Sequence, residues 1–275
     1  MKYNPKLAEI VNARPSTETP KAKEDKPIAR EPETEYSFLG GDFGRNIHER
    51  IITKYSDIEA ITKVEYDDTL KIVKGSNSFY VTAVNDELRS HGMRTATQAD
   101  LEKALASGMS LTGTFEDTGL VWHSNRDPNS YLANKLFLEA KSKGINLNEG
   151  VPYVFPLCAL SLKKDDNSPN ELGFNINNPN MCFPAPILAS ESQKRFENTD
   201  IDETKGIPKE VRENGSRILF TRNWADYGPA KMQGVSRLYL YGGLYVYSDD
   251  EGLASSNDDG RVVVVRAVGT HGAKN

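Results

Sequence analysis

Three features of the sequence predict an α+β fold with a small antiparallel sheet, two or three helices and long irregular loops. Two stretches, near residues 97–108 and 130–144, space their apolar side chains for one face of a helix and end on glycine. A run rich in β-branched residues and tyrosine dominates the chain after Gly215. Between them, residues 151–207 are crowded with Pro, Asn and Ser and keep no sustained apolar period, so long irregular loops punctuated by short strands are expected.

In chain order, residues 1–35 read as a flexible N-terminal tail. Asn4 to Arg14 can form a short helix with Leu7, Ile10 and Val11 on one face, and residues 15–35 follow with four prolines and ten charges. Such a segment buries too little apolar surface to offset its ordering entropy. Residues 36–275 have globular composition, no internal repeat and no second linker, and read as one domain. Ile47 to Ile61 is a candidate helix. Thr97 and Asp100 form a capping-box-like start, Leu101, Ala104 and Leu105 continue the stripe, and Gly108 supplies the left-handed stop. The next helix runs from about Ser130 to Lys143, capped by Asn129 or Ser130, with Leu132, Leu136 and Ala140 inward and Gly144 at its end. Strands are expected at Arg217–Thr221, Val235–Tyr241, Leu244–Tyr247 and Arg261–Val268, the last buried on both faces.

Composition narrows the function. Formal charge is −5, from 34 basic and 39 acidic side chains, so affinity for nucleic acid through phosphate neutralisation is not expected. The apolar run Val262 to Val265 is far short of the roughly 20 residues that span a bilayer. The opening stretch MKYNPKLAEIVNARP has no apolar leader segment, so synthesis in the cytoplasm is expected, with the final compartment and the oligomeric state open. Two cysteines, Cys158 and Cys182, make neither a disulfide framework nor a four-ligand zinc site.

No catalytic or cofactor-binding constellation emerges. Asp42-Phe43-Gly44 resembles the kinase metal-binding tripeptide but lacks every companion motif. Gly40, Gly41 and Gly44 do not follow a strand in a phosphate-cradle spacing. His48, His91, His123 and His271 are scattered, and Ser216 does not sit in a nucleophile elbow. Asn214-Gly-Ser216 is a formal glycosylation sequon without a secretory context. Acidic clusters at Asp249-Asp250-Glu251 and Asp258-Asp259 could offer oxygens to calcium, but solvated turn acids fit their spacing better. The expectation is a non-enzymatic protein without metal or cofactor.

The informative segment is 234–266, GVSRLYLYGGLYVYSDDEGLASSNDDGRVVVVR. Tyr239, Tyr241, Tyr245 and Tyr247 place four of the chain's 12 tyrosines within nine residues. They alternate with Leu238, Leu240, Leu244 and Val246, so period two sends phenols to one face of each strand and aliphatics to the other. A two-residue Gly242-Gly243 hairpin would pair Tyr241 with Leu244 and mix the faces. A three-residue turn, Gly242 to Leu244, would pair residue 241 with 245 and 239 with 247 and gather all four rings; the two stretches need not form a simple hairpin at all. Tyr, Ser, Asp, Gly and Asn clustered on loops and strand faces is the composition of a binding surface, although Tyr also favours ordinary strands. The segment also lacks a class of residues. Lys, Glu, Gln, Met and Trp make up 51 of the 275 residues, so a window of 33 should hold about six, and this one holds Glu251 alone. These five are the residues that no codon ending in a pyrimidine specifies, the gap left by randomising the adenines of Asn codons.

Two stretches resemble known families. His91 to Gly108, HGMRTATQADLEKALASG, resembles the G-x-R-L-P-T-E-A-E-W-E-x-A helix of the formylglycine-generating-enzyme type of C-type lectin fold: Gly92, Arg94, Thr97, Ala99, Glu102 and Ala104 match, and Thr95, Ala96, Gln98, Asp100 and Leu101 depart. The C-terminal GVSRL…DGRVVVVRA resembles the variable region of diversity-generating retroelement target proteins, which share that fold. The matches cover about 50 residues. The resemblance implies a C-type-lectin-like domain over 36–275 whose variable region, about 234–266, is rewritten to bind varied partners. The enzyme's paired C-terminal cysteines have no counterpart after Cys182.

The expected ligand site comprises Tyr239, Tyr241, Gly242, Gly243, Tyr245, Tyr247, Asp249, Asp250, Ser255 and Asn257, with Trp224 and Tyr227 at the rim. Its partner would be a protein or carbohydrate. The competing expectations are a hydrolase or sugar-modifying enzyme using paired carboxylates, and a structural virion component whose tyrosine face is a subunit interface.

Overall fold

The computed structural model describes residues 35–123, 130–148, 150–189, 193–221, 234–248 and 252–266. Strand β1 (Tyr36–Phe38) leads into helices α1 (Gly41–Lys54) and α2 (Glu59–Thr62), then into strands β2 (Glu65–Asp67) and β3 (Ile72–Lys74). Helix α3 (Ser78–Leu88), strand β4 (Met93–Thr95) and helix α4 (Gln98–Ala106) follow. Strand β5 (Phe115–His123) and helix α5 (Ser130–Ser142) complete the first half. Short strands punctuate the Pro- and Asn-rich region: β6 (Tyr153–Pro156), β7 (Leu160–Lys164), β8 (Leu172–Ile176), β9 (Phe183–Pro184) and β10 (Lys194–Phe196). The remaining strands are β11 (Arg217–Thr221), β12 (Gly234–Tyr241), β13 (Tyr245–Ser248) and β14 (Val263–Arg266).

The fold is α+β, but its sheet is not small and not wholly antiparallel. Seven strands lie in the order β10-β11-β13-β12-β5-β6-β9, and β11 runs parallel to β13. Strands β1, β14 and β4 form a second sheet, and β2-β3 and β7-β8 are two-stranded ribbons. Among the described residues there are five α-helices instead of two or three.

Helix α4 begins as its sequence predicts. The Thr97 amide donates to Asp100 Oδ2 at 2.7 Å, the Thr97 hydroxyl accepts from the Asp100 amide, and Gly108 leaves the helix at φ +95°. Helix α5 buries Leu132, Leu136 and Ala140 and is followed by Gly144 at φ +77°. The candidate helix at Ile47–Ile61 is corrected to two, because the backbone leaves helical geometry at Tyr55 and restarts after Ile58. Helix α3 escaped the sequence reading because it has no polar face: every residue from Ser78 to Asn85 is buried. Asn77 caps it by accepting the Tyr80 amide at 2.8 Å. Strand β14 begins at Val263, two residues later than expected, and Val263, Val264 and Val265 are all buried. The tail at 1–34, Asn129, residues 267–268 and His271 lie outside the described residues.

Two apolar cores lie on opposite sides of the seven-stranded sheet. On one side, α1, α3 and α5 pack with β7, β8, Leu120, Trp122 and Val235. On the other, α4 packs with Val121, Leu238, Leu240, Val246, Val263 and Val265. Strand β14 joins them, since Val264 belongs to the first core and its neighbours to the second.

One buried imidazole links this packing to pH. His48 Nδ1 lies 2.8 Å from the Tyr80 hydroxyl, and burial holds its pKa below the ordinary imidazole value. The unfolded chain therefore takes up a proton that the folded chain resists, and stability falls on acidification below about pH 6.5. Urea unfolding is expected to show a steeper loss of stability toward about pH 5 in the wild type than in His48→Gln, which cannot titrate.

Candidate functional site

Strands β5 and β12 carry the site, and an irregularity in their register creates it. Leu238 pairs with Gly119 but Tyr239 pairs with Asp117, leaving Thr118 as an extra residue on β5. Its hydroxyl donates to the Leu238 carbonyl at 3.0 Å. The extra residue shifts the phase of β5. Asp117 and Phe115 therefore share a face with Leu120, Trp122, Val235 and Arg237, while Glu116 turns to the opposite face beside Leu240.

Asp117 and Arg237 meet where the helix-covered half of that face ends. Nε and Nη2 of Arg237 donate to the two oxygens of Asp117 at 2.8 and 2.9 Å. The hydroxyls of Ser76 and Ser78 donate to the same carboxylate at 2.8 and 3.2 Å. Arg237 is 1% exposed and Asp117 4%, so each charge depends on the other and on these bonds. Arg237 Nη1 also donates to the Gly252 carbonyl at 3.3 Å, and its guanidinium lies over the rings of Phe115 and Tyr239 at 4.4 and 4.9 Å.

Beyond the ion pair the face becomes aromatic. The β12–β13 register pairs Tyr239 with Tyr247 and Tyr241 with Tyr245, the pairing that a three-residue turn requires. Gly242 takes φ +44° and Leu244 φ +63°, so the turn enters the left-handed region twice, once without a glycine. Gly243 lies between them, where a β-carbon would come within 3.0 Å of the Tyr245 ring. Tyr239 and Tyr247 stack at 5.2 Å, Tyr247 stacks on Phe220 at 4.7 Å, and Phe115 packs on Tyr239 at 4.8 Å. Tyr241 reaches Phe115 and Tyr247 edgewise, as Tyr245 does Phe220. The four phenols are not equivalent. Tyr241 and Tyr245 are 39% and 36% exposed, Tyr247 is half-buried and Tyr239 is buried.

The segment 252–260 builds the adjoining wall. The Leu253 carbonyl accepts from Ser78, Ser256 Oγ from the Ser76 amide, and the Gly260 carbonyl from Gly75. Gly260 packs so closely that a β-carbon there would lie 2.3 Å from the Ser76 nitrogen, so only glycine fits. Ser255 and Asn257 stand exposed between these anchors. A cavity of about 120 Å³ opens here, with Phe115, Tyr239 and Tyr241 as walls, Arg237 as floor and Ser255, Ser256 and Asn257 as rim. It has room for one side-chain-sized group. A second, more polar recess shares Ser256 and Asn257 and is lined by Lys63, Glu65, Lys74 and Asp258.

The structure thus brings together Tyr239, Tyr241, Gly242, Gly243, Tyr245, Tyr247, Ser255 and Asn257. Asp249, Asp250, Trp224 and Tyr227 lie outside the described residues. Phe115, Phe220, Asp117 and Arg237 were missed in the sequence, although Arg237 stands in phase with Tyr239 and Tyr241. The adjacent carboxylates Glu116 and Asp117 do not share a cleft, because they point to opposite faces of β5. His48, His91 and His123 are apart, bound to Tyr80, stacked edgewise on Phe43, and beside Ser236. Ser216 donates to Glu197 at 2.7 Å. No group of three or more His, Cys, Asp or Glu among the described residues is placed to hold a metal ion. Asp258 pairs with Lys74 at 3.1 Å. No described helix is long and apolar enough to cross a membrane.

Compared with family models, curated proteins and solved structures, the chain matches none.

Removing one partner of the buried pair strands the other charge. Asp117→Ala is expected to lower unfolding free energy by about 3–5 kcal/mol in urea titrations. Replacing Asp117 and Arg237 together with apolar residues should restore much of that loss.

Proposed function

We propose that this protein is a non-enzymatic binding protein with a C-type-lectin-like fold, whose tyrosine-rich C-terminal surface is diversified to accept varied partners. The observation that carries the reading is the β12–β13 register, which gathers four tyrosines on one face and leaves Tyr241 and Tyr245 open to solvent. Rigid phenols offer contact area at low entropic cost, and Ser255 and Asn257 add adaptable hydrogen bonds. The small cavity beside them suits an anchoring side chain of a protein partner or part of a sugar ring. Charge and composition favour neither nucleic acid nor a membrane surface.

The lectin-like reading draws support from where the two resembling stretches lie. His91 to Gly108 becomes β4 and α4, the C-terminal stretch becomes β12 to β14, and Val264 of β14 pairs with Thr95 of β4. Stretches far apart in the sequence are neighbours in one sheet.

A diversified surface must vary without unfolding its scaffold. Saturation substitution at 241, 245, 255 and 257 is expected to leave the melting temperature within about 4 °C, whereas polar substitutions at Leu238, Leu240 or Val246 should unfold the protein. Tyr239→Ala belongs with the second group, because its ring is buried under Arg237. Equal intolerance at all these positions would make the rings core and overturn the binding reading. At the locus, a near-copy of codons 234–266 differing only at adenines, beside a reverse-transcriptase gene, is expected; its absence would overturn diversification alone.

A further inference from the structure

The geometry points to Glu116 as a positioning residue: as a neutral acid, acting through Thr114, it fixes the turn that presents Tyr241 and Tyr245. The inference rests on the reading of that hairpin as the binding surface, but its test needs no ligand.

A hydroxyl carries one proton to donate. Thr114 Oγ1 lies 2.8 Å from the Leu111 carbonyl and is also in hydrogen-bond contact with Glu116 Oε1. Both contacts are satisfied only when Glu116 itself is protonated. It then donates to Thr114 Oγ1, which donates to Leu111. An ionised Glu116 would draw the Thr114 proton to itself and leave the Leu111 contact without it.

This relay sits under the hairpin turn. The Gly242 amide donates to the Thr114 carbonyl at 2.8 Å, and the Gly113 amide donates to the Gly242 carbonyl at 2.9 Å. The loop from Leu111 to Thr114 therefore grips the turn through a reciprocal pair of backbone bonds. Glu116 is 2% exposed, and its Oε2 has no partner among the described residues.

The surrounding charges do not offset its burial. Among the described residues, Arg261 is the cation that acts on it, and that guanidinium is held by the carbonyls of Asp258 and Gly260 at 2.7 and 2.6 Å. Asp117, the neighbouring anion, faces the other side of β5 and is bound to Arg237. Burial dominates and pushes the Glu116 acid from 4.5 up to about 8. The folded chain thus keeps a proton that an unfolded chain has released. The stability this group contributes is full below the ordinary glutamate value and is lost as pH rises toward the folded one.

The test is a carbon-detected NMR titration of the Glu116 carboxyl in the full chain. It is combined with hydrogen exchange at the Gly113 and Gly242 amides, corrected for intrinsic rates. The carboxyl is expected to titrate near pH 8, and protection of both amides should drop about tenfold or more between about pH 7 and pH 9.5. Glu116→Gln keeps a donor toward Thr114 and should hold protection at both pH values, while Glu116→Ala and Thr114→Val should lose it at both. A carboxyl titrating in the ordinary glutamate range, or protection that Thr114→Val leaves intact, would overturn the proposal. If Glu116→Gln does not fold, the wild-type titration and Thr114→Val decide the matter. A failure here leaves the substitution tolerance of Tyr241 and Tyr245 untouched, so the two readings fall separately.

Discussion

The buried pair of Asp117 and Arg237 is the constraint around which the rest is arranged. It joins four segments that are distant in sequence: β5, β12, the start of α3 through Ser76 and Ser78, and the 252–260 segment through Gly252. Two charges withdrawn from water cost several kcal/mol each unless their hydrogen-bonding groups are matched, and here the carboxylate accepts four bonds. Geometry this demanding tolerates little displacement, so the pair sets the register of the strands and the position of the wall beside them.

The extra residue at Thr118 explains how one sheet face serves two purposes. On one side of it, Leu120, Trp122 and Val235 are sealed beneath helices. On the other, among the described residues no helix covers Phe115 and the tyrosines; Phe115 and Tyr239 are buried within the cluster, and Tyr241 and Tyr245 are exposed. The ion pair stands at the border between the two halves. Within the aromatic cluster the work is divided: Tyr239 is held between Phe115, Tyr247 and the Arg237 guanidinium, and this inner layer orients the outer rings. Such a layered arrangement gives exposed phenols the rigidity that a lone surface tyrosine lacks.

Local signals were legible in the sequence where a single element produced them. Thr97 with Asp100, Gly108 and Gly144 mark helix ends because capping chemistry is local, and alternation on either side of Gly242-Gly243 marked the phenol face of each strand while leaving the register of the turn open. What was hidden depends on partners far along the chain. Helix α3 has neither stripe nor polar face, so periodicity cannot reveal it. Phe220 joins the site through a parallel strand pair that no neighbouring residue announces. The role of Asp117 depends on the extra residue at Thr118, without which Glu116 would have faced the tyrosines instead. The class α+β and the short strands among the loops of 151–207 followed from composition and pattern, whereas their joining into one seven-stranded sheet did not, because a very short strand carries no signal of its distant partner.

The pairing of β5 with β12 also has a kinetic meaning. Asp117 and Arg237 are 120 positions apart, and Phe220 reaches the rings through another non-local pairing. Contacts of such high sequence separation form slowly, because a large loop must close before any of them is rewarded. The full aromatic cluster, with Phe115 on Tyr239 and Phe220 on Tyr247, therefore needs those long-range pairings, whereas the turn that pairs the four tyrosines is local in sequence.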